Sequence, residues 1–193
     1  MISGILDLKR IHQYAKCNKE IPHRTNDKAI YRPLKSIIDD LVFYVPEISG
    51  WYFWVNANGL KQIIYVGKSD ANTEWNLKKR IEEGISEGLE AFWGTHYDKQ
   101  EVFETMLKKY NYKYENNHKK ALKKTGVTHI IWIGTRDNIA SFDIKEIEKY
   151  LIFNLQPTAN SQHKKKAQYT EFADSEIVKN QFEEIFEEIS FNG

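Results

Sequence analysis

Two runs of consecutive aromatic and β-branched residues, Trp51-Tyr52-Phe53-Trp54-Val55 and Gln62-Ile63-Ile64-Tyr65-Val66, break the helix-like spacing of apolar positions along the rest of the chain. Such runs favour strands, and the intervening Asn56-Ala57-Asn58-Gly59-Leu60 makes them a hairpin. Asn58-Gly59 suits a two-residue turn whose central positions both need positive φ. That turn predicts a register with Trp54 opposite Ile63 and Tyr52 opposite Tyr65, all four on one face. Upstream, Ile5, Leu8, Ile11, His12 and Ala15 fall on one stripe and predict a helix over 4–17, with a second over 34–41 before Pro46. Downstream, Asn72-Thr73 offers an N-cap for a helix to about Glu87, with Leu77, Ile81 and Ile85 inward and Arg80 beside them. Residues 127–133 read as a strand ended by Gly134, and 143–155 as a helix stopped by Pro157, with Asp143 and Glu146 spaced as a capping box. Its apolar stripe is Ile144, Ile147, Leu151, Ile152 and Leu155, and Glu148 falls on it. A carboxylate on an apolar face is out of place unless a function holds it there. Residues 175–189 form an acidic amphipathic helix with Ile177, Val178, Phe182, Ile185, Phe186 and Ile189 inward.

These elements predict an α/β (α+β) fold: a small, mostly antiparallel three-stranded sheet, built from the hairpin and the 127–133 strand and flanked by helices. The expected organisation is a helical extension over 1–49, a core over 50–160 with a helical insertion at about 85–126, and a C-terminal helical segment over 161–193. At 193 residues these make one compact unit.

Composition narrows the function. No apolar run is long enough for a membrane helix and the first residues do not read as a secretory leader, so the expectation is a cytoplasmic protein without a membrane partner. Cys17 is the only cysteine, which excludes an intrachain disulfide and thiolate zinc sites, and the six histidines show no metal-ligand spacing. The net charge of +1 conceals an asymmetry. From Glu171 onward seven acids face Lys179 alone, a net of −6, so residues 1–170 carry +7. A basic body of this kind is compatible with phosphate binding.

Three features then ask for one explanation: the Tyr52/Tyr65 pair, Arg80 on the following helix, and Glu148 on an apolar face. Phosphodiester hydrolysis supplies it, needing a base for water, a cation for the phosphate oxygens and a divalent metal. One carboxylate suffices for Mg²⁺ when waters and substrate complete its octahedron.

The chain here resembles the GIY-YIG nuclease superfamily. Gly50-Trp51-Tyr52 stands for its first triplet, Tyr65-Val66-Gly67 for its second, and Lys68 follows; Asn76-Leu77-Lys78-Lys79-Arg80 is similar to its arginine-bearing helix, and Glu148 with Asn160 to its glutamate and asparagine ending. The likeness spans 50–160. It implies that Tyr52, Tyr65 and Lys68 handle the attacking water, with either tyrosine as the base, that Arg80 contacts the scissile phosphate, that Glu148 binds Mg²⁺ (or Mn²⁺), and that Asn160 braces the site. The chain departs from the pattern at Trp51, in about five extra residues between Lys68 and Arg80, and at Gly84, where the family often has Tyr or His; His96 or Tyr97 from the insertion are the candidate substitutes. The implied activity is a Mg²⁺-dependent endonuclease on double-stranded DNA, of the sequence-specific restriction type. A repair or phage-type nuclease, or a catalytically inactive nucleic-acid-binding module, is the alternative. The insertion, with Tyr110, Tyr112, Tyr114 and its lysines, is the expected DNA surface, and the C-terminal apolar stripe a surface for a homodimer.

Overall fold

A computed structural model describes residues 1–17, 28–58, 61–86, 127–135, 140–158, 160, 163, 169–170 and 172–191. Most of the expected insertion, with His96, Tyr97 and the tyrosine- and lysine-rich surface, lies outside the described residues. The fold is α+β, built on a four-stranded antiparallel sheet. Strand β2 (Gly50–Asn56) lies inside the sheet, pairing with β3 (Gln62–Ser69) on one side and β4 (His129–Gly134) on the other. Strand β1 (Ile2–Asp7) pairs with the far side of β4, giving the order β1-β4-β2-β3.

Every residue of β2 is buried, which explains why its sequence is a continuous apolar run with no polar face. Against one face pack α1 (Lys9–Cys17), α2 (Lys28–Leu41) and α3 (Leu77–Ser86), through Ile11, Leu34, Ile38, Leu77, Ile81 and Ile85. These meet Tyr52, Trp54, Ile64, Ile130 and Trp132 from the sheet. The other face takes α4 (Ser141–Leu155) and α5 (Ala173–Phe191), whose Ile144, Ile147, Leu151, Val178 and Phe182 cover Trp51, Phe53, Val55, Val66, Ile131 and Ile133.

The first seven residues differ from expectation. They form strand β1 rather than the start of a helix, so the sheet has a fourth strand. Pairing with β4 satisfies a row of backbone groups that the apolar periodicity of 4–17 says nothing about. Gly4 permits the close approach, because a Cβ there would lie 2.6 Å from the Trp132 indole. The helix begins only at Lys9, whose N–H donates to Asp7 Oδ1 at 2.8 Å.

The hairpin also departs from the predicted register. Tyr52 pairs with Gly67 and Trp54 with Tyr65, and a bulge shifts the pairing so that Val55 faces Ile63 and Asn56 faces Gln62. The connection is therefore longer than a two-residue turn, and Lys61 in it is left-handed, at φ 46°. The bulge sends Ile63 to the α4/α5 face while Ile64 joins Tyr52 and Trp54 on the other.

Helix caps differ as well. Asn76, not Asn72 or Thr73, caps α3, with its Oδ1 accepting the Lys79 N–H at 2.9 Å. Helix α4 begins beyond Ala140 with no side-chain cap, so Asp143 and Glu146 form no capping box. Glu146 is buried instead, bonded to Lys149 and accepting the Thr170 N–H at 3.0 Å. On α5, Phe182 stacks on Phe53 with centroids 4.1 Å apart, whereas Ile177 points outward, 52% exposed. Val178 and Phe182 of the stripe are spent on the sheet, with Ile185, Phe186 and Ile189 partly buried against it. Among the described residues no helix is long and apolar enough to cross a membrane.

Candidate active site

The outer end of β3 is where both faces of the sheet come together. Tyr52 and Tyr65 stand on the α1–α3 face, diagonal rather than directly opposite, with ring centroids 6.1 Å apart at 42°. Gly67 makes this possible: a Cβ on it would fall 2.5 Å from the Tyr52 hydroxyl and 2.4 Å from the ring carbon that bears it. The residue paired with Tyr52 must therefore lack a side chain, so that the phenol can lie across β3.

Arg80, one turn into α3, donates a hydrogen bond to the Tyr52 hydroxyl, which is also hydrogen-bonded to Tyr65. A second arm of the guanidinium holds Glu83 at 3.0 Å, and its centre lies 5.6 Å from the Trp75 ring centroid. Burial drives the Tyr52 phenol above its ordinary value; Arg80 opposes that shift and Glu148 adds to it. The neighbouring phenols and Glu83 in turn raise Arg80, whose charge is secure.

Lys68 pairs with Trp51 and so lies on the α4/α5 face, where Glu148 approaches from α4. Burial lifts the Glu148 carboxyl to about 7, against the opposing pull of Lys68, Arg80, Lys145 and Lys149. Glu148 thus senses cations from both sides of the sheet, as well as Tyr52. Asn160 acts on the backbone of the same strand. Its Oδ1 accepts the Val66 N–H and its Nδ2 donates to the Val66 carbonyl, both at 2.9 Å, imitating one rung of a neighbouring strand. Thr158 N–H extends this cover to the Ile63 carbonyl at 3.0 Å, so the outer edge of β3 is closed by the segment after α4.

Five of the six site residues read from the sequence therefore converge electrostatically or by hydrogen bonds, and the sixth, Asn160, fixes the strand that carries two of them. Gly84 leaves no gap at the expected Tyr or His position, since its missing side chain accommodates Trp54 at 3.3 Å. Glu83, Trp75 and Asp70 were not singled out from the sequence. Only the Arg80/Glu83 spacing of three on a helix signalled a pairing.

Among the described residues no three His, Cys, Asp or Glu side chains cluster as a metal cage. The donor set fits a cation that takes one protein carboxylate and completes its shell with water and substrate oxygen, because Glu148 sits where burial disfavours a bare charge. Such an arrangement can bind a phosphate oxygen at Arg80, beside the phenols on the same face, with the Glu148 carboxylate within electrostatic reach. No family model, curated protein or solved structure matches the chain.

Proposed function

We propose that the chain is a divalent-metal-dependent DNA endonuclease of GIY-YIG type. One observation carries the reading: a half-buried carboxylate, a guanidinium and two linked phenols, from four separate elements, act on one another electrostatically at one corner of the sheet. Structural salt bridges do not need a carboxylate held up to about 7 among four cations, whereas a site that awaits a metal and a phosphate does. Mg²⁺ or Mn²⁺ at Glu148 supplies charge neutralisation on the phosphate and the leaving 3′ oxygen. Arg80 binds the non-bridging oxygens, and its bonds to Tyr52 and Glu83 fix its angle beforehand. Tyr52, buried and with its pKa raised, keeps its proton and orients the water. Tyr65, on the same face and partly exposed, is the base in this reading, taking the water's proton as its phenolate, while Lys68 stands on the opposite face of β3 toward Glu148. Asn160 holds β3 at the spacing these roles require.

The basic body of the chain supports duplex DNA as the substrate, and cutting at a defined sequence, as in restriction enzymes, is the proposed subclass. Cutting both strands with one centre per chain calls for two chains at the site. Supercoiled plasmid incubated with Mg²⁺ tests the reading. Nicking by the wild type, abolished in Glu148→Ala and reduced at least about 100-fold in Arg80→Ala, supports it. Plasmid that is bound without being cut makes the chain an inactive binding module and refutes the enzyme.

A further inference from the structure

The segment joining Lys68 to α3 is a closed, cross-bonded loop. Asp70 N–H donates to the Trp75 carbonyl at 3.0 Å, Thr73 N–H and Oγ1 both donate to the Asp70 carbonyl, and Trp75 N–H donates to Thr73 Oγ1 at 3.2 Å. The Asp70 carboxylate accepts the Asn72 N–H at 3.0 Å and is also hydrogen-bonded to Ser141 at the start of α4. Ala71 N–H is anchored on Ser49 Oγ at 2.8 Å. What this rigid loop presents is Trp75, 44% exposed, and the neighbour of Ser141 is Phe142, 60% exposed.

Exposing large aromatics to water costs free energy, and two of them stand on segments joined by the Asp70–Ser141 hydrogen bond, Trp75 through its backbone bond to Asp70 and Phe142 as the neighbour of Ser141. Their surroundings state the chemistry of an occupant. Arg80 touches Trp75, Lys68 precedes Asp70 by two residues and acts on its charge, and exposed Lys145 lies one turn after Phe142. A flat apolar surface set among cations matches a nucleotide, with a base for the ring and a phosphate for the charges. Resting on the nuclease reading, we infer that Trp75 and Phe142 form a stacking platform for a nucleobase adjoining the scissile phosphate. A base inside a duplex has both faces covered, so the platform takes one from an unpaired strand or one rotated out of the helix.

Anisotropy titrations in Ca²⁺ with three fluorescein-labelled probes test this: a short mixed-sequence single strand, the same strand wholly abasic, and its blunt duplex. Trp75→Ala is expected to weaken single-strand binding about 5- to 100-fold, Trp75→Phe to restore most of it, and Phe142→Ala to lose less. The abasic strand is expected to change by less than about 2-fold in every variant. A comparable Trp75→Ala loss on the duplex identifies a base rotated out, and a loss on the single strand alone identifies an unpaired one. Equal losses on base-bearing and abasic strands, or none, overturn the platform. Wild type that binds none of the probes overturns the nuclease reading together with it, whereas wild type that binds while Trp75→Ala matches it overturns the platform alone.

Discussion

The two faces of the sheet are built from alternate residues of the same strands and have opposite characters. On the α4/α5 face, Trp51, Phe53, Val55, Ile131 and Ile133 meet Phe182 and Leu151, and even the Trp51 Nε1–H is satisfied, by the Ile144 carbonyl at 3.1 Å. The α1–α3 face is equally apolar toward β1 but ends at β3 in phenols tied to a guanidinium. The first face is optimised for packing. The second carries groups whose preferred charge states conflict with burial, and that conflict is concentrated where β3 ends and Glu148 reaches round from the other side. Placing costly groups at one corner lets the rest of the sheet supply the stability that corner gives up.

The largest test of this division is Phe182→Ala. It should destabilise the fold by about 3–5 kcal/mol in denaturant melts while leaving the rate of any DNA cutting, measured below the unfolding midpoint, unchanged. A rate that fell with stability would make the faces one coupled unit. Next is Glu148→Gln. The folded protein holds the Glu148 proton up to about 7 against an ordinary 4.5, so it binds more protons than the unfolded chain between those values and loses stability as pH rises through them. Without divalent cation, the glutamine variant should be more stable than wild type by about 2–3 kcal/mol at pH 8.5, and no more stable at pH 4. A pH-independent difference would show that the carboxylate is not strained.

Gly67→Ala probes the corner itself. Pushing a methyl into the Tyr52 phenol should cost about 1–3 kcal/mol and displace the Tyr52–Arg80 bond, with activity falling further than stability accounts for. The smallest effect is expected for Asp70→Asn, at about 1 kcal/mol. Burial raises the Asp70 carboxyl, but hydrogen bonds from Ser141 and Asn72 and the charge of Lys68 outweigh it and hold it below 3.8. Its contribution is thus complete above pH 3.8 and is lost as pH falls through the depressed folded value, so the variant and wild type should converge in acid.

Much of the corner between the faces was readable because its residues stand where packing alone would not put them. Glu148 on the α4 stripe and Arg80 among 23 lysines are of this kind. The hairpin, the 129–134 strand and α4 were legible from apolar runs and their stops. The N-terminal strand was not, because Ile5, Leu8 and Ile11 fit a helix locally and only the open edge of β4 makes the strand preferable. The exposure of Trp75 was hidden for a related reason, since an aromatic residue in a sequence does not declare whether it is inside or outside.

By itself, then, the order of residues determined which chemical groups exist and on which elements they ride, because helix and strand periods fix the direction of each side chain relative to its neighbours. Only the tertiary structure decided the register that sets Tyr52 over Gly67, the fourth strand, and the electrostatic reach of Arg80 to Glu148. These depend on pairing between distant segments, where a bulge of one residue exchanges the two faces, and no local preference carries that information.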